Sequence, residues 1–335
     1  MSDELEWVSD AKGFGVEKPI DDYYHGKCGN PGASLTETWY WGFQDPKTRL
    51  HAFIYIYMHP NVGSVTGGVW VKRGDKSHAM ASELFDIHSN MSDDIFDNDR
   101  NIKLANGFQV KFIDPMKKQG LSYRNDARDF SLDVEATAVT PAFMRSNNKH
   151  FEQVMRMRGT CKLEGKTHDI DCLTIRDRSW GELRSEAMLN VPPYTWINAI
   201  FSADFLIQCG GHDDPAKKPD WAGAFPSVTT ANAFKDGYVY RNGKTTRFAK
   251  VSMITTRDPS TLRPLKVEIE ATDLDGQNYQ VVGKNMASAP WNPWHNCHCH
   301  IGFAEWTCNL VDTKGYGEIQ EVQWNPYVSR FMKQG

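Results

Sequence analysis

The chain has 335 residues, enough for one large domain or two of ordinary size. Its 38 basic and 42 acidic residues give a net charge of -4, so there is no basic excess to neutralise phosphates, which argues against a general nucleic-acid binder. Apolar residues at 40% and charged residues at 24% suit a soluble globular protein, and the 11 tryptophans point to an aromatic-rich β core or a pocket.

Strand signals dominate the first half. Thr38–Trp41, Leu50–Tyr57 and Gly68–Val71 are rich in aromatic and β-branched residues, and turn clusters at Asp45-Pro46 and Asn61–Gly63 separate them. Met80–Phe85 reads as a short helix or a strand. Further strands are predicted at Phe108–Ile113, Phe130–Ala136, Phe151–Gly159 and Asp169–Ile175. After the break at Asn190–Pro193 the theme repeats. Strands are predicted at Thr195–Cys209, Gly237–Arg241, Thr246–Ile254, Leu265–Ala271, Tyr279–Val282, His300–Cys308 and Glu318–Trp324, with hairpin signals at Asn242-Gly243 and Asp275-Gly276. Short strands at regular spacing predict an all-β chain of two antiparallel barrels, residues 1–187 and 188–335.

Seven scattered cysteines form no disulfide framework, Met1–Val8 is acidic and polar, and no apolar run approaches a membrane span. These features predict a reduced, cytoplasmic protein with no membrane span, and a homodimer is compatible with them. No phosphate-cradling glycine motif occurs, so no nucleotide cofactor is expected.

Glu37-Thr-Trp-Tyr40, His150-Phe-Glu-Gln153, Gly159, Gly165, Arg176-Asp-Arg-Ser-Trp-Gly181 and Gly315-Tyr-Gly317 with Glu321 occur in an order that resembles the carotenoid 1,2-hydratase / hydroxyneurosporene synthase-like (AttH-like) superfamily. The resemblance covers roughly residues 35 to 325, and its hexapeptide at 176–181 is the most specific part. It implies two tandem lipocalin-like antiparallel β-barrels and cofactor-independent acid/base chemistry on a mostly apolar small molecule, of terpenoid or polyketide-like character. Hydration, cyclisation and cycloaddition all occur in the superfamily. The family often carries histidine where this chain has Arg178. Arginine does not give up its proton at working pH, so a mechanism using that imidazole does not transfer unchanged.

Adding water to a double bond needs a proton donor of suitable pKa and a cavity that tolerates cationic character. Asp177 is the acid of the hexapeptide, but Arg176, Arg178 and Arg184 are close in sequence, and an arginine partner would make it a poor acid. Trp180 shares a strand face with Arg176 and Arg178. Asp204, inside the apolar run Trp196–Gln208, matches by position the acid that the relatives carry on the strand after the motif, so Asp204→Asn is expected to abolish turnover. Glu37 alternates with Trp39 and Trp41, with Tyr40 on the opposite face; Glu152 and Glu305 are weaker candidates.

His295-Asn-Cys-His-Cys-His300 has the look of a metal site. However, its histidines and cysteines alternate across a strand, so no metal is assigned, and His298 or His300 is a candidate base. The expected catalytic set is Asp204, Asp177, Arg178, Glu37 and His298. The expected pocket walls are Trp39, Tyr40, Trp180, Tyr194, Trp196 and Trp306. The readings carried forward are a hydratase, dehydratase or isomerase/cyclase without cofactor and, as the alternative, a non-catalytic carrier of an apolar ligand.

Overall fold

The computed structural model describes residues 14–29, 31–32, 34–183, 189–221, 223–293 and 296–332. The chain forms two compact units, one of residues 14–73 and 80–183, the other of residues 74–79 and 189–332. The loop 74–79 therefore groups with the second unit. There Lys76 N donates to Ser288 O at 2.7 Å and Asn285 Nδ2 donates to Asp75 Oδ1 at 2.9 Å.

The first unit contains β1 (Leu35–Asp45), β2 (Leu50–His59), β3 (Ser64–Lys72), β4 (Leu84–Ser92), β5 (Ile102–Lys103), β6 (Gln109–Asp114), β7 (Lys118–Asn125), β8 (Phe130–Ala138), β9 (Phe143–Met144), β10 (His150–Leu163) and β11 (Lys166–Leu183). They make one curled antiparallel sheet in the order β4-β3-β2-β1-β11-β10-β8-β7-β6-β5, with β9 on β10. The long β10–β11 hairpin turns at Glu164-Gly165, both at positive φ (53° and 74°), as a two-residue turn matched to strand twist requires. Strict alternation sends Trp39, Trp41, Ile54, Val69, Met155 and Cys172 into one core.

The second unit contains β12 (Tyr194–Ser202), β13 (Phe205–His212), β14 (Phe234–Arg241), β15 (Lys244–Arg257), β16 (Pro264–Asp273), β17 (Asn278–Trp291), β18 (Cys297–Cys308) and β19 (Val311–Trp324), followed by helix α1 (Asn325–Phe331). These eight strands pair in sequence, and β19 returns to β12, closing a barrel. The Asn242-Gly243 signal does make the β14–β15 hairpin, with φ of 51° and 81°. Tandem lipocalin-like β architecture is thus what the chain adopts, one unit closed and the other curled. Among the described residues, no helix is long and apolar enough to cross a membrane.

One expected strand is two. The run Thr195–Cys209 breaks at an Ala203-Asp204 turn between β12 and β13, where Asp204 is exposed and its N–H binds Ser202 Oγ at 3.1 Å. Apolar residues on both sides of this tight turn hid it, because the turn has no Gly or Pro.

Candidate active site

The Arg176–Gly181 segment ends β11, between β1 and β10. Alternation divides it. Arg176, Arg178 and Trp180 point inward, and Asp177 and Ser179 point outward. The neighbouring arginines therefore do not hold Asp177.

The inward set is mostly partnered, although Arg178 Nε and Glu37 Oε2 have no hydrogen-bond partner among the described residues. The segment 18–25 crosses the end of the sheet and inserts Asp22, which is buried and bonded to Arg176, Met116 N and Gln119. Arg178 bonds Glu37, the Tyr23 carbonyl (2.6 Å) and the Thr38 carbonyl (3.0 Å), with its guanidinium 3.9 Å from the Trp39 ring centre and 5.3 Å from that of Trp180. His25 stacks on Trp180 at 4.1 Å and lies 3.2 Å from Arg178 Nη2. An imidazole thus lies beside Arg178 although none occupies its position. Burial lowers the pKa of Arg178 and Glu37 opposes that fall. Glu37 and Trp39 are accordingly parts of a buried plug.

The outward set is different. Across the outer face, one row runs Tyr55–Tyr40–Asp177–Glu152, and the next runs Tyr57–Thr38–Ser179–His150. Thr38 and Ser179 share a hydroxyl hydrogen bond of 2.8 Å. His150 Nε2 makes a short hydrogen bond to Asp177 and lies 3.6 Å from Glu152 Oε1. The turn that joins β9 to β10, closed by Arg145 N donating to His150 O, brings Arg145 Nη2 to 2.9 Å from Glu152 Oε1.

Gly181 completes the cluster. At φ +66° it is the extra residue of a bulge, with Glu37 opposite Trp180 and Thr36 opposite Glu182. The extra residue resets the alternation and puts Glu182 on the outer face, with its carboxylate 3.6 Å from His150 Nδ1. Burial and Arg145 both disfavour a charged His150. Asp177 and Glu182 outweigh them and raise its pKa to about 9. The ring is therefore an imidazolium at neutral pH. Its Nδ1 has no hydrogen-bond partner among the described residues.

His150 was missed as a catalytic candidate, although it opens one of the segments that carry the resemblance. The signal was its register opposite the hexapeptide, which becomes visible only when β10 is paired with β11.

His150, Glu152 and Asp177 each place one ligand atom within 4.8 Å of the others, which is metal-like spacing. Two of those atoms are already engaged, Nε2 by Asp177 and Glu152 Oε1 by Arg145. A cation would have to displace a proton and compete with a guanidinium, so the donor set fits acid/base use better than metal binding.

The other expected site residues lie in the second unit. Asp204, on its exposed turn, is not a desolvated acid. Trp306 is wholly buried in the barrel core, over Gly283, where a Cβ would come within 2.4 Å of the indole; it is packing and not a pocket wall. Tyr194 packs edge-on against His212 at 5.9 Å, and Trp196 is half-buried on the outer face of β12. His298 is edge-on to His300 at 4.8 Å, and burial lowers its pKa. Trp294, His295 and Arg184 lie outside the described residues.

A curled sheet and a closed barrel, both antiparallel, with a buried acid–imidazole cluster on the first sheet, define a lipocalin-like two-unit β protein. The chain belongs to the family described as "Domain of unknown function (DUF7064)", whose model matches residues 18–326. Among solved structures it is similar to a putative AttH from Nitrosomonas europaea (15% identity, TM-score 0.54, covering 96% of this chain and 98% of that one). It is also similar to kievitone hydratase from Nectria haematococca (12%, 0.55, 94% and 96%) and to CghA (9%, 0.54, 90% of each). The fold is therefore AttH-like. No curated protein is significantly similar in sequence.

Proposed function

We propose that the chain is an acid/base enzyme, a hydratase, dehydratase or related isomerase/cyclase acting on a mostly apolar small molecule, with His150 as the proton donor. The observation that carries this reading is the buried imidazolium of His150. Its Nε2 is fixed by Asp177, and its Nδ1 faces the Glu182 carboxylate as an ion pair at 3.6 Å, longer than a full hydrogen bond. A side chain held this way on one nitrogen can deliver the proton on the other.

In hydration, His150 Nδ1–H protonates one alkene carbon and water adds to its neighbour. The proton lost by that water goes back to His150, or to Glu182 and then to His150, so the enzyme is unchanged. Tyr40, beside Asp177 on the same face and packed on Phe53 at 5.0 Å, begins an aromatic bank suited to an apolar substrate and to developing positive charge. The fold shared with kievitone hydratase is compatible with this chemistry.

The test is incubation of the purified protein with a library of terpenoids and aromatic alkenes, read by mass shifts of one water. Turnover that His150→Gln abolishes without loss of fold supports the reading. Turnover retained by that variant overturns the assignment, and compounds retained unchanged favour a carrier.

A further inference from the structure

The second unit carries a polar patch that the His150 reading does not use. On β12 and β13, Ile197, Ala199, Ile207 and Cys209 face the barrel core, so Asn198 and Gln208, directly opposed in register, face outward. Outward amides are normally solvated, yet both are fully buried. Neither amide atom of Gln208 has a hydrogen-bond partner among the described residues, and nor does Asn198 Nδ2. Buried amides are almost always satisfied, so three orphaned atoms on two facing side chains need an explanation.

The pair is held in place. Asn198 Oδ1 accepts from Glu318 N at 3.3 Å, which leaves the Nδ2 donors free. Gly317 makes room for that geometry, since a Cβ there would come within 2.4 Å of Asn198 Oδ1. One row along the same face, Trp196 and Gln320 are opposed and half-exposed, so the amides lie one residue pair in from an accessible indole.

We infer that Asn198 and Gln208 form a recognition site for a neutral aromatic ligand bearing adjacent hydroxyl and carbonyl groups. The Asn198 and Gln208 N–H groups donate to the carbonyl, and Gln208 Oε1 accepts from the hydroxyl. Trp196 stacks on the ring. The buried carboxylate of Glu318, next to Asn198 on the outer face, repels a ligand carboxylate, so the site selects the neutral group.

The test needs no turnover, so its outcome is separate from that of the His150 reading. Binding of 2′-hydroxyacetophenone and of salicylate, which share ring and hydroxyl but differ in ketone against carboxylate, is measured on the full chain by calorimetry and tryptophan fluorescence. The ketone is expected to bind at least tenfold more tightly than salicylate. Gln208→Met is expected to lose at least tenfold of that affinity with an unchanged or raised melting temperature, because it removes unsatisfied groups. Gln208→Ala serves as the second variant. Equal binding by wild type and variant, a preference for salicylate, no binding of either probe, or failure of both variants to fold would each overturn the proposal.

Discussion

Replacing Asp177 by Asn separates the two influences on His150. In the native protein burial and Arg145 work against the imidazolium, and Asp177 and Glu182 support it, for a pKa of about 9. At pH 7.5 that leaves about 97% of His150 protonated. The Asp177→Asn change keeps the shape and removes the charge. Burial and Arg145 then act against Glu182 alone, and the pKa is expected to fall by about 2.5 units or more, leaving under about 10% imidazolium at pH 7.5.

The same shift predicts stability. A histidine whose folded pKa lies above its unfolded 6.5 stabilises fully below pH 6.5, and that contribution fades as pH rises through 9. At about 1.36 kcal/mol per unit, wild type should lose about 3 kcal/mol from this group between pH 6 and pH 10, and Asp177→Asn should not. Histidine carbon and nitrogen chemical shifts titrated by NMR, with urea unfolding at pH 6, 7.5 and 9.5, measure both. Where turnover is found, the basic limb of its pH profile should move with the NMR value. A wild-type His150 titrating near 6.5, or one still titrating near 9 in the Asp177→Asn variant, would refute the electrostatic argument.

Asp204→Asn, on the exposed Ala203-Asp204 turn, should change stability by less than about 0.5 kcal/mol and leave any activity intact, checked by thermal melts and the water-shift assay. Gly181→Ala puts a side chain at φ +66° with ordinary contacts around it, so the cost is backbone strain of about 1–2 kcal/mol; with the bulge disturbed, the His150 titration should also shift. Glu37→Gln removes the acid paired with buried Arg178 and should cost about 3–5 kcal/mol by urea unfolding, whereas Glu37→Leu with Arg178→Met together should cost markedly less. His212 and His300 are buried and held neutral, with pKa values lowered to about 4 and about 3 chiefly by desolvation. For these the sign reverses: their contribution is present above pH 6.5 and lost as pH falls towards 3, so acid unfolding should begin near pH 6 and be delayed in His300→Phe.

Much of this fold is written in composition and period. β-branched and aromatic runs with turn residues between them locate most strands, and Asn242-Gly243 marks a real hairpin because only such residues accept two positive φ angles cheaply. The Ala203-Asp204 turn escapes that reading: it has neither Gly nor Pro, and its polar pair Ser202 and Asp204 sits within an otherwise apolar run that reads as one strand. For the site, alternation already showed that Arg176, Arg178 and Trp180 share a face. Applied one residue further, it would have freed Asp177 from its arginine neighbours. What no local pattern contains is the β10–β11 register that sets His150 opposite Ser179 and Glu152 opposite Asp177, or the bulge at Gly181 that turns Glu182 towards them. The register follows from pairing between residues some thirty apart, the bulge from the far more distant pairing of Thr36 with Glu182, and both are fixed by the whole sheet.

Each unit also buries an arginine among acids and aromatic rings. In the first, Arg178 is held by Glu37 and stacked on Trp39. In the second, Arg257 is held by Asp213 and Glu321 at 2.7 Å each, with Trp221 and Tyr327 about 6 Å away. Burial lowers the pKa of both, but Asp213 and Glu321 outweigh it at Arg257, whereas at Arg178 burial and the nearby Arg176 outweigh Glu37 and Asp22. In neither case does the guanidinium release a proton at working pH, and the acids that face it are held as its counter-ions. These clusters close the ends of strands where backbone and charge would otherwise be unsatisfied, and they suit a structural role. His150 differs in kind. It is a titrating ring, charged by its neighbours, with one nitrogen anchored on Asp177 and the other only loosely paired with Glu182 at 3.6 Å, on the opposite face of the same strands. The hexapeptide thus serves two faces at once: its arginines hold the fold, and Asp177 between them sets the charge of the group proposed to do the chemistry.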